Sequence, residues 1–142
     1  MPFRANPTDA GADLYANSIE IKDDGRLVYG TGLAFESPKG YVGLLTPRSS
    51  CSKMDVYIPN SVGVIDSDYR GEVMVVFKYN KQFKYSEPSN FFMNREPNFE
   101  AYKIGDRIAQ LLIVPIELAE FTEVNELSET GRGVGGFGST GK

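Results

Sequence analysis

Residues 60–78 read NSVGVIDSDYRGEVMVVFK, and this stretch decides the fold. Two apolar runs, Val62 to Ile65 and Val73 to Phe77, flank the polar cluster Ser67-Asp68-Tyr69-Arg70-Gly71. Valine, isoleucine and phenylalanine suit a pleated, half-buried strand, whereas Ser, Asp and Gly favour a tight turn. The spacing predicts strands over 62–65 and 72–78 joined as a hairpin by the turn at 67–71. The same alternation of short β-forming runs and turn residues predicts further strands at 19–21, 32–35, 41–45, 56–58, 107–114 and 121–124. Ser37-Pro38-Lys39-Gly40 reads as another turn. Helical periodicity is almost absent, apart from one short turn expected over 48–53, where Pro47 supplies a natural helix start. Eight short strands without helices imply an all-β barrel or sandwich.

The chain has 142 residues, 41% hydrophobic and 24% charged, which is enough for one globular domain burying roughly 70% of its unfolded surface. It contains no His, and this removes His-based acid–base catalysis, Ser-His and Cys-His nucleophile pairs and His-containing zinc sites. The lone Cys51 forbids an internal disulfide or a multi-Cys metal cluster and reads as a small semi-buried residue. With 15 basic and 19 acidic residues the formal charge is -4, so direct binding to nucleic acid is not expected. The longest apolar stretch, 108–119, is interrupted by Gln110, Pro115 and Glu117 and is well short of the ~20 residues that cross a bilayer. Without a leader-like N-terminus, the chain is expected to be soluble and cytoplasmic, in the host cytoplasm if a virus or phage encodes it.

Residues 80–101 carry two Pro, several aromatics and no period, and read as a long surface loop. The tail 128–142 is too rich in Gly for regular structure, so the expected division is a β-domain over 1–127 and a flexible arm over 128–142. Two phosphate-binding patterns occur in the arm, Gly133-x-Gly135-x-x-Gly138 and Gly136-x4-Gly141-Lys142. Both need a following helix, and the sequence ends at Lys142. Arg132, Phe137, Gly138, Ser139 and Thr140 nevertheless provide a guanidinium, an aromatic plate, hydroxyls and a pliable backbone, which suit an anionic aromatic ligand such as a nucleotide.

Four other segments carry polar groups with two readings each. Arg48, Ser49 and Ser50 can hold an anion at the start of the helical turn, or be a surface Arg beside capping serines. Asp66 and Asp68 can act as carboxylates in a site, or bond their own turn. Asp9 and Asp13 lie among small residues, and Gln110 interrupts an apolar strand where its amide needs a partner.

Together the stretches AGADL at 10–14, PRSS at 47–50, NSVGVIDSDYRGE at 60–72, GDRIAQL at 105–111 and RGVGGFGSTG at 132–141 resemble, in order, the five motifs of the trimeric deoxyuridine triphosphatases (dUTPases). The resemblance covers nearly the whole chain. It implies a jelly-roll-like β-barrel, a homotrimer with active sites shared between chains, and hydrolysis of dUTP to dUMP and pyrophosphate with Mg2+. It further implies that Asp66 activates the attacking water and that Tyr69 stacks on the deoxyribose. Asn60 with the backbone of Gly63, Val64 and Ile65 would read uracil. Arg48, Ser49, Ser50 and Gln110 would contact phosphate, and Asp13 would hold the metal through water. Arg132, Phe137, Gly138, Ser139 and Thr140 would form the closing arm. Only residues 1–8 precede the first motif, where the family carries a strand. The loop at 80–101 is longer than the family connection and reads as a solvated insertion, with a protein-docking surface as its second reading. The rival activities are a dCTP deaminase of the same fold and a nucleotide-gated binding protein.

Overall fold

A computed structural model describes residues 1–79 and 101–136. The expected loop at 80–101, except its last residue, and the arm residues Phe137, Gly138, Ser139 and Thr140 lie outside the described residues. Among the described residues eight strands run in the order β1 (Ala12–Tyr15), β2 (Ser18–Ile21), β3 (Leu27–Gly30), β4 (Tyr41–Pro47), β5 (Val56–Tyr57), β6 (Gly63–Ile65), β7 (Met74–Tyr79) and β8 (Arg107–Pro115), with a 3-10 turn at Ser49–Lys53. They form two four-stranded sheets, β1-β8-β4-β6 and β2-β3-β7-β5. Every pairing is antiparallel, and the β4–β8 ladder runs unbroken from Tyr41↔Pro115 to Pro47↔Ala109. The fold is therefore all-β and jelly-roll-like, and among the described residues no ladder closes the sheets into a barrel.

Alternation places the core. In β7, Val75 and Phe77 are fully buried while Met74 and Lys78 face outward. Phe77 packs edge-on against Tyr29 of β3 at 5.5 Å between ring centroids and against Tyr102 at 5.3 Å. Leu14, Leu27, Leu45, Ile108, Ala109 and Leu111 complete the apolar layer between the sheets.

The hairpin expected around 67–71 is not one. β6 pairs with β4 and β7 pairs with β3 and β5, so the turn carries the chain from one sheet to the other. The segment 32–35 is not a strand either, because Gly32 sits at φ +68° and side chains take the amides a ladder would use. Glu72 Oε1 accepts the Gly32 N–H at 2.7 Å, and Thr31 Oγ1 accepts that of Leu33 at 3.3 Å. The segment 121–124 has no neighbouring strand among the described residues, and Phe121 is 97% exposed.

Two strands escaped the sequence reading. β1 is short and set among Gly and Asp. β3 had a legible signal in Asp23-Asp24-Gly25, which closes a β2–β3 hairpin with Gly25 at φ +79° and the Lys22 N–H bonded to the Arg26 carbonyl at 2.9 Å. Residues 1–8 do contribute pairing: Phe3 exchanges both backbone hydrogen bonds with Asp13 on the free edge of β1.

The Tyr29 hydroxyl, buried in this core, donates to the Tyr102 carbonyl at 2.8 Å, and burial pushes its pKa from 10.0 up to about 12. Between those values the unfolded chain releases the proton and the folded chain keeps it, so stability falls as pH rises through that window and is unaffected below it. Tyr29→Phe is expected to cost about 1 kcal/mol at neutral pH. It should also flatten the alkaline loss, read from urea midpoints measured between about pH 9 and pH 12.

Candidate active site

Register brings the first group of polar residues together. Asp13 lies opposite Gln110, and Gln110 opposite Thr46, so the three share one face across β1, β8 and β4. Asp13 Oδ1 accepts Arg48 Nε at 2.7 Å and Oδ2 accepts Arg107 Nη1 at 3.1 Å, with the Asp13 side chain only 15% exposed. Arg107 reaches this face because of a bulge. Leu14 pairs with Ala109 but Tyr15 with Arg107, so Ile108 is the extra residue. Simple alternation would send Arg107 into the core beside Ala109. With Ile108 buried instead, Arg107 emerges next to Asp13, its guanidinium also covering the Phe3 ring at 5.9 Å.

Gln110 donates from Nε2 to the Pro47 carbonyl at 3.1 Å. Its side chain lies against Gly11, where a Cβ would fall 2.6 Å from Oε1, so this approach requires glycine. Arg48 caps the 3-10 turn without a side-chain bond to it, and its Nη1 reaches Ser50 Oγ at 3.3 Å and the Arg107 carbonyl at 3.4 Å. Ser49 is exposed and Ser50 half-buried. Two guanidiniums around one carboxylate leave a net positive face with hydroxyls beside it, which is chemistry for an anion. Cys51 is no nucleophile here: burial pushes its thiol upward, and the sulfur donates to the Val56 carbonyl at 3.3 Å.

The second group is the turn between β6 and β7. The Tyr69 N–H closes onto the Asp66 carbonyl at 3.1 Å, and Arg70 Nη1 donates to the Ser67 carbonyl at 2.8 Å. The Tyr69 hydroxyl donates to the Glu72 carbonyl at 3.1 Å, which folds the ring over Gly71, where any Cβ would collide with it. Asp66 and Asn60 are exposed. In β6, Gly63 is buried under Leu45 and Ile65 faces the core, while Val64 points outward. The third group is the start of the arm. Arg132 Nε donates to the Gly135 carbonyl at 2.9 Å, and the Gly133 N–H to Thr130 Oγ1 at 3.1 Å, forming exposed turns.

The first two groups do not meet in one chain. The β4–β6 register Gly43↔Ile65, Leu44↔Val64, Leu45↔Gly63 continues Asp66 to the level of Val42. Arg48 is six residues further along β4, which is about 20 Å of extended chain. Sequence reasoning missed Arg107, whose aim depends on the bulge, together with Tyr102 and Glu72.

The dUTPase family model matches residues 1–88 and 90–141. The deoxyuridine 5'-triphosphate nucleotidohydrolase of Corynebacterium diphtheriae is 43% identical over 144 residues, covering 99% of this chain and 85% of that protein. That of Anaplasma marginale is 41% identical over 147 residues, covering 99% and 88%. Among solved structures, the dUTPase of Staphylococcus bacteriophage 80alpha with dUPNHPP superposes with a TM-score of 0.76 at 34% identity, covering 100% of this chain and 92% of that one. A mutant dUTPase from phage phi11 of S. aureus, described as coordinating a structural Mg(II) ion, gives a TM-score of 0.68 at 31% identity over 91% and 92%.

The chain belongs to the dUTPase family. Its reaction is the hydrolysis of dUTP to dUMP and pyrophosphate, with Mg2+ as cofactor, and the deaminase alternative is not favoured. The donor set fits a metal that arrives with its substrate. Among the described residues no three His, Cys, Asp or Glu gather into a cage, and both Asp13 oxygens already accept from arginines, leaving lone pairs suited to water.

Asp13→Asn leaves two guanidiniums facing each other in a partly buried site. It is expected to cost about 1–2 kcal/mol, less than a fully buried pair because water reaches Arg107. Urea unfolding at low and at high salt checks this, and the loss should shrink as salt screens the arginines.

Proposed function

We propose that each active site of this dUTPase is assembled from more than one copy of the chain in a homotrimer. Arg48, Ser49, Ser50 and Gln110 of one subunit hold the phosphates. The Asp66 turn comes from a second subunit and the arm 128–142 from a third. The observation that carries this reading is the separation along β4, which puts the Asp66 turn and the Arg48 cluster of one chain about 20 Å apart, too far for one triphosphate to bridge from catalytic carboxylate to α-phosphate contacts. Two apolar surfaces support it. Leu44, Val64 and Leu112 sit side by side on the outer face of their sheet, and Leu118, Phe121 and Leu127 are 80%, 97% and 87% exposed. A strand at 121–124 would find its partner on another copy.

In this arrangement Asp66 accepts a proton from water as the water oxygen bonds the α-phosphorus, and the bond from that phosphorus to the bridging oxygen breaks to release pyrophosphate. Tyr69, held over Gly71 by its bond to Glu72, packs on the sugar and leaves no space for a 2'-hydroxyl. Asn60 and the backbone at Gly63, Val64 and Ile65 read the uracil edge. A cytosine would set donor against donor there and a thymine methyl would clash. Arg132, Phe137, Gly138, Ser139 and Thr140 close over base and phosphates and exclude water. Asp13 would hold the water shell of Mg2+, and the ion would neutralise phosphate charge. No helix among the described residues is long and apolar enough to cross a membrane. The substrate belongs to the nucleotide pool, and on that ground the proposed location is the cytoplasm.

Asp66→Asn keeps the turn and removes the base, so turnover of dUTP should fall by about 10²-fold or more with nucleotide affinity retained. The shared site is tested by complementation. Asp66→Asn protein and protein ending at Thr130, each inactive alone, are unfolded together and refolded as mixed oligomers. Recovered pyrophosphate release is expected, from sites that combine an intact Asp66 with an intact arm. Inactive mixtures with demonstrated mixed oligomers would place both elements in one chain.

A further inference from the structure

The most buried polar side chain behind the phosphate cluster belongs to a residue that the catalytic reading does not use. Tyr102 is 5% exposed, its ring lies against Phe77, and its hydroxyl sits 3.2 Å from Ser50 Oγ. Ser50 Oγ also accepts Arg48 Nη1 at 3.3 Å, and these two contacts are the only partners of the Ser50 hydroxyl among the described residues.

A serine hydroxyl offers two lone pairs and one proton. Arg48 can only donate, so it occupies one lone pair. The remaining question is which way the proton lies between Tyr102 and Ser50. Were Ser50 the donor, the buried Tyr102 proton would need another acceptor, and the polar atom at hand is the Cys51 sulfur, a weak one. With Tyr102 as donor, Ser50 takes the proton of a buried phenol on its second lone pair and every buried group is satisfied. Desolvation also raises the Tyr102 hydroxyl above its ordinary value, so it keeps its proton throughout the neutral range.

We infer that Tyr102 is a positioning residue for substrate phosphate: by filling the second lone pair of Ser50, it leaves the serine proton as the one free donor, turned outward to an anionic phosphate oxygen. The inference rests on the reading of Ser50 as a phosphate contact. It adds specificity of sign to that contact, since a hydroxyl with both lone pairs occupied can donate but not accept. An anion is welcomed at that position, whereas an ammonium, which can only donate, finds no acceptor.

A double-mutant cycle in the full-length protein, read as kcat/KM for dUTP, tests the coupling. Tyr102→Phe keeps the ring against Phe77 and the backbone carbonyl that receives Tyr29, and should lower kcat/KM about fivefold, the worth of one net hydrogen bond. Ser50→Ala should lower it at least as much. The decisive arm is the pair: Tyr102→Phe in the Ser50→Ala background should cause no further loss, because the Tyr102 hydroxyl acts only through Ser50. An equal fivefold loss in that background would show that Tyr102 merely supports the sheets, and the inference fails. It also fails if Tyr102→Phe alone matches the parent. Full activity of Ser50→Ala would instead remove Ser50 from the phosphate site, so that failure is distinguishable from the first. Thermal melting of all four proteins separates packing loss from lost coupling.

Discussion

One carboxylate between two guanidiniums holds the active half of this molecule in place. Asp13 ties the edge strand β1 to Arg48 at the exit of β4 and to Arg107 at the entry of β8, so three segments distant in sequence share a single charge. The interaction is possible only because the ladder shifts by one residue at Ile108 and turns Arg107 outward. The same shift buries Ile108 in the apolar layer, so core packing and site geometry are two results of one irregularity. A bulge of this kind re-aims side chains without lengthening a strand.

The sheets then decide what one chain can and cannot do. β4 is paired on both sides, with β6 along its middle at Gly43 to Leu45 and with β8 along its whole length, and it separates the Asp66 turn from the Arg48 cluster. In the homotrimer we propose, a substrate whose base and phosphates use both groups is met by neighbouring copies. That need agrees with the apolar outer face at Leu44, Val64 and Leu112 and with the uncovered residues beyond β8. On the shared-site proposal, fold, oligomerisation and catalysis are linked through the length of a single strand.

The sequence made the all-β class, the 3-10 turn after Pro47 and most strands legible, since β-branched runs between turn residues leave few other options. It misled where side chains replaced backbone partners. Gly32 and Leu33 look like strand residues, but Glu72 and Thr31 take their amides. It misled again at 67–71, because alternation marks two strands and a turn without saying whether the strands belong to the same sheet. The motif residues Asp13, Arg48, Ser50 and Gln110 were legible through their family resemblance, and the structure brings them together. Arg107 and Tyr102 were not legible. One depends on a register shift, and the other on a tertiary contact across 52 residues, neither of which leaves a local pattern.

The ring of Tyr69 over Gly71 binds those two positions into one unit of inheritance. Any side chain arriving at 71 would push the ring out of its place, and a smaller residue at 69 would remove the reason for glycine at 71. Position 71 cannot leave glycine while the Tyr69 ring stands over it, so change at this turn has an order, with 69 first. A lineage in which position 71 is no longer glycine should therefore carry a smaller residue at 69.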